Sequence, residues 1–551
     1  MKKSNSKSKA QSAFKKLGAV ALITATIFFV ACKQTGNTGG GGGKPTPKPK
    51  HAITFSVEGG NGTLKAEGDG ITQPATSPIN VEQGKEVTFT ATANDGYRVK
   101  GWTLDGKPIA EAGTKMEYKH TVTKPATITV NFELIPKAIL TLAPDKLNIK
   151  VKAKTADDSD ITVEGCNETK LTSDVETELH ANGAIITLKG YIIELECIGS
   201  YDNRLLTALN VQGLTSLQKL NCSYNKLTAL NVQGLTALQE LNFHSNQLTE
   251  LDVQGLTALQ KLDCSNNKLT ALNVQGLTAL QELNFYSNQL TELDVSNLTT
   301  LQKLSCGNNK LPELNVQGLT ALQELECYEN KLTSLNVQGL TSLQKLSCSW
   351  NQLTALDVQS LTSLQKLNCS YNKLTALNVQ GLTNLQKLEC YRNQLPELNV
   401  QGLTNLQELS CGDNKFTELN VQGLTSLQKL SCHENQLTSL DVQGLTNLQE
   451  LYCGDNKLTE LNVQGLTSLQ KLYCGGNKLK AQAMTEILNA LPARKASDKG
   501  EAILYTEETD VTEGNCKDFT QPAELKAAFE GAKKRNWKLQ KRRANWQDVD
   551  I

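Results

Sequence analysis

The sequence predicts a mainly β protein: a solenoid of thirteen regular 21-residue turns with a parallel sheet on its concave face, preceded by a small β domain and followed by an α/β cap. Three observations carry that expectation. From Leu217 the pattern L-x-x-L-x-C-x-x-N-x-L-x-x-L-x-V-x-x-L-x-x recurs almost without drift, and its asparagine returns every 21 residues from Asn225 to Asn477. A unit that short cannot bury its apolar face alone, so its copies must stack. Before the repeats, "EVTFTATA" and "ATITVNFEL" alternate or run β-branched, bounded by turn chemistry in "GGNG", "NDGY" and "LDGK". After Asn477 the period stops, and Met484, Ile487, Leu488 and Leu491 fall at helical spacing, ended by Pro492.

Composition excludes more than it selects. Lys+Arg and Asp+Glu both total 56 in 551 residues, so no global field draws the chain to nucleic acid or an acidic membrane. Aromatic residues are only 5% of the chain, which makes their placement informative.

Residues 1–31 read as a secretory signal. Lys2, Lys3, Lys7, Lys9, Lys15 and Lys16 precede the apolar run Leu17–Val30, which is too short to span a bilayer as a stable helix. The "FVAC" ending at Cys32 resembles the lipobox of bacterial lipoproteins, in the looser spirochaetal form because Phe29 stands where an aliphatic residue is usual. The resemblance implies that the Cys32 thiol is acylated and that the protein is exported and lipid-anchored to the bacterial envelope, at the outer membrane or cell surface. An ordinary signal peptide with an incidental cysteine is the alternative. Residues 32–50 then form a tether, glycine-rich and flexible at first, extended where Pro and Lys alternate. Fully stretched it reaches about 60 Å.

Residues 51–134 form the small β domain. Its order of segments, above all "GYRVKGW" (Gly96–Trp102) and the closing "VNFE", resembles the divergent internalin B-repeat, which implies a spacer with Tyr97 and Trp102 in its core. Residues 135–205 are strand-like and are read as a β cap over an irregular first repeat, because the end rung of a solenoid needs a cover. Cys166 and Cys197 lie in this cap as candidates for a disulfide, and spacing does not decide whether they pair.

Residues 206–479 are the solenoid. "LxxLxCxxNxL" matches the leucine-rich repeat signature with cysteine in place of its third leucine, and the remainder resembles the short internalin-type repeat. The chain as a whole resembles leucine-rich repeat surface lipoproteins of spirochaetes and related oral bacteria, which implies a horseshoe. Leu220 and Cys222 lie two apart and point inward from a strand, and Leu217, Leu227, Leu230, Val232 and Leu235 face the same interior. Asn225 recurs where the chain must turn inside the core, and its amide can satisfy backbone groups there. The cysteine column is interrupted by Phe243 and Phe285. Rungs about 4.8 Å apart lie within disulfide reach. The phenylalanines nevertheless leave Cys222 and Cys264 without a neighbouring thiol, and phenylalanine substitutes for a buried hydrophobe rather than a metal ligand or nucleophile. The thiols are read as packing.

The repeats differ chiefly at three positions: between Leu220 and Cys222, and at the two residues before Asn225. These belong to the outer, concave face, where seven of the twelve tyrosines and the single repeat tryptophan lie. The candidate protein-binding residues are Tyr224, His244, Tyr286, Tyr328, Trp350, Tyr371, Tyr391, Arg392, His433, Tyr452 and Tyr473, since rigid aromatics and arginine dominate binding energetics. Residues 480–551 form a helix-containing cap with a basic tail, Lys533–Trp546. That tail is read as a solvated cap helix with packed tryptophans, or else as a contact for an anionic glycan or membrane.

No nucleophile elbow, phosphate loop or metal set appears, the five histidines are scattered, and neither an enzyme nor a cofactor is expected. The function expected is binding of a protein ligand, as an adhesin for host cell-surface or matrix proteins or for other bacteria. The alternative is a structural or self-associating envelope protein with no host ligand.

Overall fold

The structure, a computed structural model, describes residues 46–145, 147–507, 511–543 and 547–551. The signal peptide, Cys32 and most of the tether lie outside the described residues, as does Trp546. The chain divides into two compact units, one running to Asn94 and resuming over Val99–Phe132, the other made of Asp95–Arg98 and Glu133–Ile551.

In the first unit, alternation dictates the sheet faces. Strand Glu86–Ala93 buries Val87, Phe89 and Ala91 and turns its threonines outward, and it pairs antiparallel with Gly62–Gly68 and Glu117–Thr121. Strand Lys50–Glu58 runs parallel to Ala126–Leu134. Trp102 is buried with its indole N–H donating to the Lys115 carbonyl at 2.8 Å, as its amphipathic ring requires.

In the second unit the residues before the repeats build an antiparallel sheet in which Lys137–Leu142 is flanked by Ile185–Lys189 and Leu206–Asn210. Beside it, Asn148–Thr155 pairs with Thr177–His180 and Ile192–Glu196. Strand Ile192–Glu196 pairs parallel with Lys219–Asn221, so the hand-over from cap to solenoid falls inside the segment read as cap. This register sets Cys197 beside Cys222. Cys197 is a buried first rung, and both Cys197 and Cys166 are free thiols rather than a disulfide.

From Lys219–Asn221 to Lys471–Tyr473, thirteen three-residue strands stack in parallel with no shift of register. The interior is as the periodicity predicts: Leu217, Leu220, Cys222, Leu227, Leu230, Val232 and Leu235 are all buried, and so are their counterparts in later turns except the half-buried Leu293, with Phe243 and Phe285 fully enclosed. Each large aliphatic side chain contributes about 1.5–3 kcal/mol on burial.

Hydrophobic burial does not fix the register; the asparagine does. In a central turn, the Asn351 amide donates to the carbonyl of Cys327 in the preceding turn at 3.0 Å and to that of Cys348 in its own at 3.1 Å. Its Oδ1 accepts the N–H of Leu332 at 3.0 Å. Three backbone groups that the tight turn removes from strand pairing are thereby satisfied. The cap continues the device. Asn515 donates to the carbonyls of Cys474 and Leu504, both at 2.8 Å, and accepts the N–H of Leu479.

Beyond the last repeat, helix Ala481–Ala490 buries Met484, Ile487 and Leu488 and ends before Pro492. Strand Gly500–Thr506 joins the solenoid sheet, helix Ala523–Lys534 follows, and strand Trp537–Arg542 adds in parallel. The short antiparallel Asp548–Asp550 closes the edge with charged residues. The helix expected over Lys533–Trp546 therefore stops at Lys534 and gives way to a strand, because the sheet offers the segment an edge to pair with. Trp537 is buried, its N–H donating to the Pro492 carbonyl at 2.7 Å.

Replacing Asn351 by alanine strands two carbonyls and one N–H in the interior, each worth about 1–3 kcal/mol. Urea unfolding followed by circular dichroism should show a loss of about 3 kcal/mol or more, against less than about 0.5 kcal/mol for Lys373→Ala on the surface of the next turn.

Candidate protein-binding face

Only the first of the three variable columns lies in a strand. Lys219 and Asn221 flank inward Leu220; Cys222 then turns in, Ser223 is nearly buried, and Tyr224 adopts φ +56°. That left-handed residue swings the following Asn225 into the interior. It recurs at every turn, on residues as unlike as Trp350 (φ +53°), Arg392 (+56°) and Asp413 (+47°), with glycine only at Gly476. Each non-glycine there costs about 1 kcal/mol or more. The asparagine's three hydrogen bonds offset it.

The predicted residues sit in three columns: Tyr452 and Tyr473 in the strand, His244, Tyr286, Tyr328, Tyr391 and His433 next to the buried cysteine column, and Tyr224, Trp350, Tyr371 and Arg392 at the left-handed position. The structure brings several into contact. Trp350 stacks on Tyr371, ring centroids 3.7 Å apart and planes within 11°. Tyr371 meets Tyr391 edge-on at 5.4 Å, and Tyr391 reaches His433 at 5.3 Å. Tyr224 pairs with His244, and Tyr286 with Tyr328. The last contact crosses a whole turn, and so does that between Tyr391 and His433. Glycine makes both possible: a Cβ on Gly307 would lie 3.0 Å from the Tyr328 ring, and one on Gly412 would lie 2.9 Å from the His433 ring. Glycines between aromatics in one column were the unread signal that these rings lie down along the sheet.

Exposure is correspondingly uneven. Trp350 is 52% exposed, Arg392 is exposed, and the other rings are half-buried except Tyr473. Tyr473 corrects the sequence reading. It is only 4% exposed, donates its hydroxyl to Asp455 at 2.8 Å and lies under the Arg542 guanidinium at 4.4 Å, because the cap covers the last turn. Burial pushes the Tyr328, Tyr391 and Tyr452 hydroxyls up to about 12 and lowers His433, so these groups are uncharged at neutral pH. The basic tail is occupied internally: Lys541 pairs with Glu507 at 2.7 Å, Lys538 with Asp550 at 3.3 Å and Arg542 with Asp548 at 3.0 Å.

Behind the face stands the thiol column. Twelve cysteines, Cys197 to Cys474, are fully buried, and burial pushes Cys222, Cys432 and Cys474 up to about 12 and others further. A solved structure with the same feature is similar to this chain: the functional domain of InlJ from Listeria monocytogenes, described as including a cysteine ladder. It shares 32% identity over 58% of this chain and 75% of its own length, with a TM-score of 0.52. The chain is an internalin-like leucine-rich repeat protein. Two family matches accord with that assignment: "Divergent InlB B-repeat domain" over residues 56–136, and "Leucine Rich repeats (2 copies)" over residues 236–277 and 425–465. The internalin-like chain also resembles YopM, a leucine-rich effector protein from Yersinia pestis, at 29% identity, covering 48% of this chain and 73% of that one with a TM-score of 0.43. YopM from Yersinia enterocolitica matches at 25% identity, covering 49% and 66%, with a TM-score of 0.38. No curated protein sequence matches. An internalin-like repeat fold of this kind suits protein–protein interaction.

Two measurements follow from this burial. A thiol reagent applied to the native protein should spare all twelve column cysteines and, among the described residues, reach only the half-buried Cys166 and Cys516; rapid labelling of any of the twelve would contradict their packing role. Asp455 tests the seam between face and cap. Burial pushes its carboxyl up to about 6, above an ordinary 3.8, against the Tyr473 hydrogen bond that lowers it. The folded state thus holds this proton more tightly than the unfolded chain, and stability from this group is lost as pH rises from about 4 through about 6. Asp455→Asn should gain on the unaltered protein across that window in thermal midpoint. A constant gap would refute the shift.

Proposed function

We propose that the protein is a lipid-anchored adhesin of a bacterial surface, binding a protein ligand of host cells or of other bacteria through the outer face of its solenoid sheet. The observation that carries this reading is the connected row Trp350–Tyr371–Tyr391–His433, set on an otherwise uniform scaffold. Rings held by their neighbours lose little entropy on binding, which is the property of hot-spot residues. The lipobox-like "FVAC", the tether and the likeness to internalins support display at the surface.

The test compares the purified chain with a variant carrying serine at Tyr224, Tyr286, Tyr328, Trp350, Tyr371, Tyr391 and Tyr452, with circular dichroism confirming the fold. Tyr473 is left intact because it is structural. Saturable binding to epithelial cells, matrix proteins or neighbouring bacteria should disappear in the variant. Equal binding would remove the function from this face, and binding by neither, with concentration-dependent self-association of both, would favour an envelope-structural role.

A further inference from the structure

The first residue of each solenoid strand points outward, and from Lys219 to Lys471 these residues alternate lysine with glutamate across successive strands, a series that the cap's Glu501 and Lys538 continue in register. In-register opposite charges form ion pairs, such as Lys219 with Glu240 at 3.7 Å, Lys303 with Glu324 at 3.5 Å and Lys429 with Glu450 at 3.1 Å. Cross-strand pairs of this kind stabilise a sheet, and like charges side by side destabilise it.

Lys366 is the one departure. It stands where the alternation calls for glutamate, in register between Lys345 and Lys387. The alternation resumes beyond it in the same phase, so the change is confined to a single position. Lys345 is paired with Glu326, and Lys387 with Glu389 and Glu408 at 3.1 and 3.0 Å. The Lys366 ammonium is exposed and has no partner among the described residues. Nothing in the scaffold accounts for an unpaired cation that its neighbours repel.

The same turn carries Tyr371, on which Trp350 stacks, and Trp350 is the most exposed ring of the repeats. Arg392, paired with Asp413, stands over Tyr371 at 5.3 Å. Between the lysine row and the rings the face is floored by Ser347, Ser349, Asn368 and Ser370, short side chains that leave the surface low. Inside it Glu389 is held by Lys387 at 3.1 Å, and on either side the face turns acidic, at Glu324, Glu326 and Glu329 before and at Glu408 and Asp413 after. A cationic window about three strands, or roughly 14 Å, wide therefore coincides with the best-exposed aromatic pair.

We propose that this window, from Lys345 to Arg392, is the specificity-determining dock for an acidic segment of the partner protein, with a carboxylate meeting Lys366 and a planar or apolar side chain covering Trp350. The inference rests on the reading of this face as the binding surface and names the chemistry of its occupant. Charge complementarity selects the segment and speeds its encounter, while the ring pair supplies the buried contact. A polypeptide places its charges discretely and continues along the ring row toward His433. A uniformly anionic glycan would run into the flanking glutamates.

The experiment titrates the purified chain with three synthetic dodecapeptides, alternating Glu-Tyr, Lys-Tyr and Ser-Tyr, and with a sulfated heparin oligosaccharide, by calorimetry and Trp350 fluorescence. The Glu-Tyr peptide should bind best and weaken as salt is raised. Lys366→Glu restores the alternation, so its thermal midpoint should hold or rise while affinity for that peptide falls at least about tenfold. Lys303→Gln, in a neutralised turn, should leave affinity unchanged, and Trp350→Ser should weaken it. Binding untouched by Lys366→Glu, or no preference for the acidic peptide, would overturn the proposal. Lys366-dependent binding of the oligosaccharide alone would replace the peptide with a glycan. If cell binding is lost in the seven-serine variant yet survives Lys366→Glu, the face binds but not through this window; if it survives both, the reading of the face fails too.

Discussion

The buried asparagine of each turn ties it to the turn before through two hydrogen bonds and closes its own turn with a third, and the remaining architecture is arranged around that constraint. A solenoid of leucines has no intrinsic register, since one apolar side chain slides past another at little cost. An amide that must satisfy two carbonyls and one N–H has one position in which all three are met. It sets the interval between turns, aligns the strands without shift, and requires the left-handed residue just ahead of it. The same amide reappears in the cap at Asn515, so the end of the sheet is sealed by the bond that propagates it.

Because the interior is settled by that amide and by leucine, the cysteine column has only to fill space, and Phe243 and Phe285 fill it as well. The outer face is then free to differ from turn to turn. Its left-handed position accepts tyrosine, tryptophan, arginine, aspartate or glutamate alike, since the backbone there is held from inside. Variation and strain therefore share a residue at that position.

Periodicity made the stacked turns, the inward column and the role of Asn225 readable from residues alone. It failed where spacing departs from 21. Cys197 belongs to the column but its separation from Cys222 is longer, so it read as a cap residue with a possible disulfide partner. Asn515 arrives only after an inserted helix and strand. The ring contacts were unreadable for another reason: a column assignment tells where a Cβ starts, not which way a ring falls, and Tyr328 and His433 fall onto glycines one turn away. Tyr473 shared its column with an accessible Tyr452 and was hidden by a strand that no repeat announces.

The alternation of lysine and glutamate gives the solenoid an electrostatic unit of two turns laid over a structural unit of one. A stretch of near-identical coding repeats gains and loses copies by recombination, and the interior would tolerate any number. Gain or loss of two turns together, away from Lys366, leaves each charge beside its opposite. A single turn added or removed sets two like charges in adjacent strands at the joint. The surface thus adds to the length of the solenoid a preference for even steps that the core does not have, a weak one because exposed pairs are worth about 0–1 kcal/mol each.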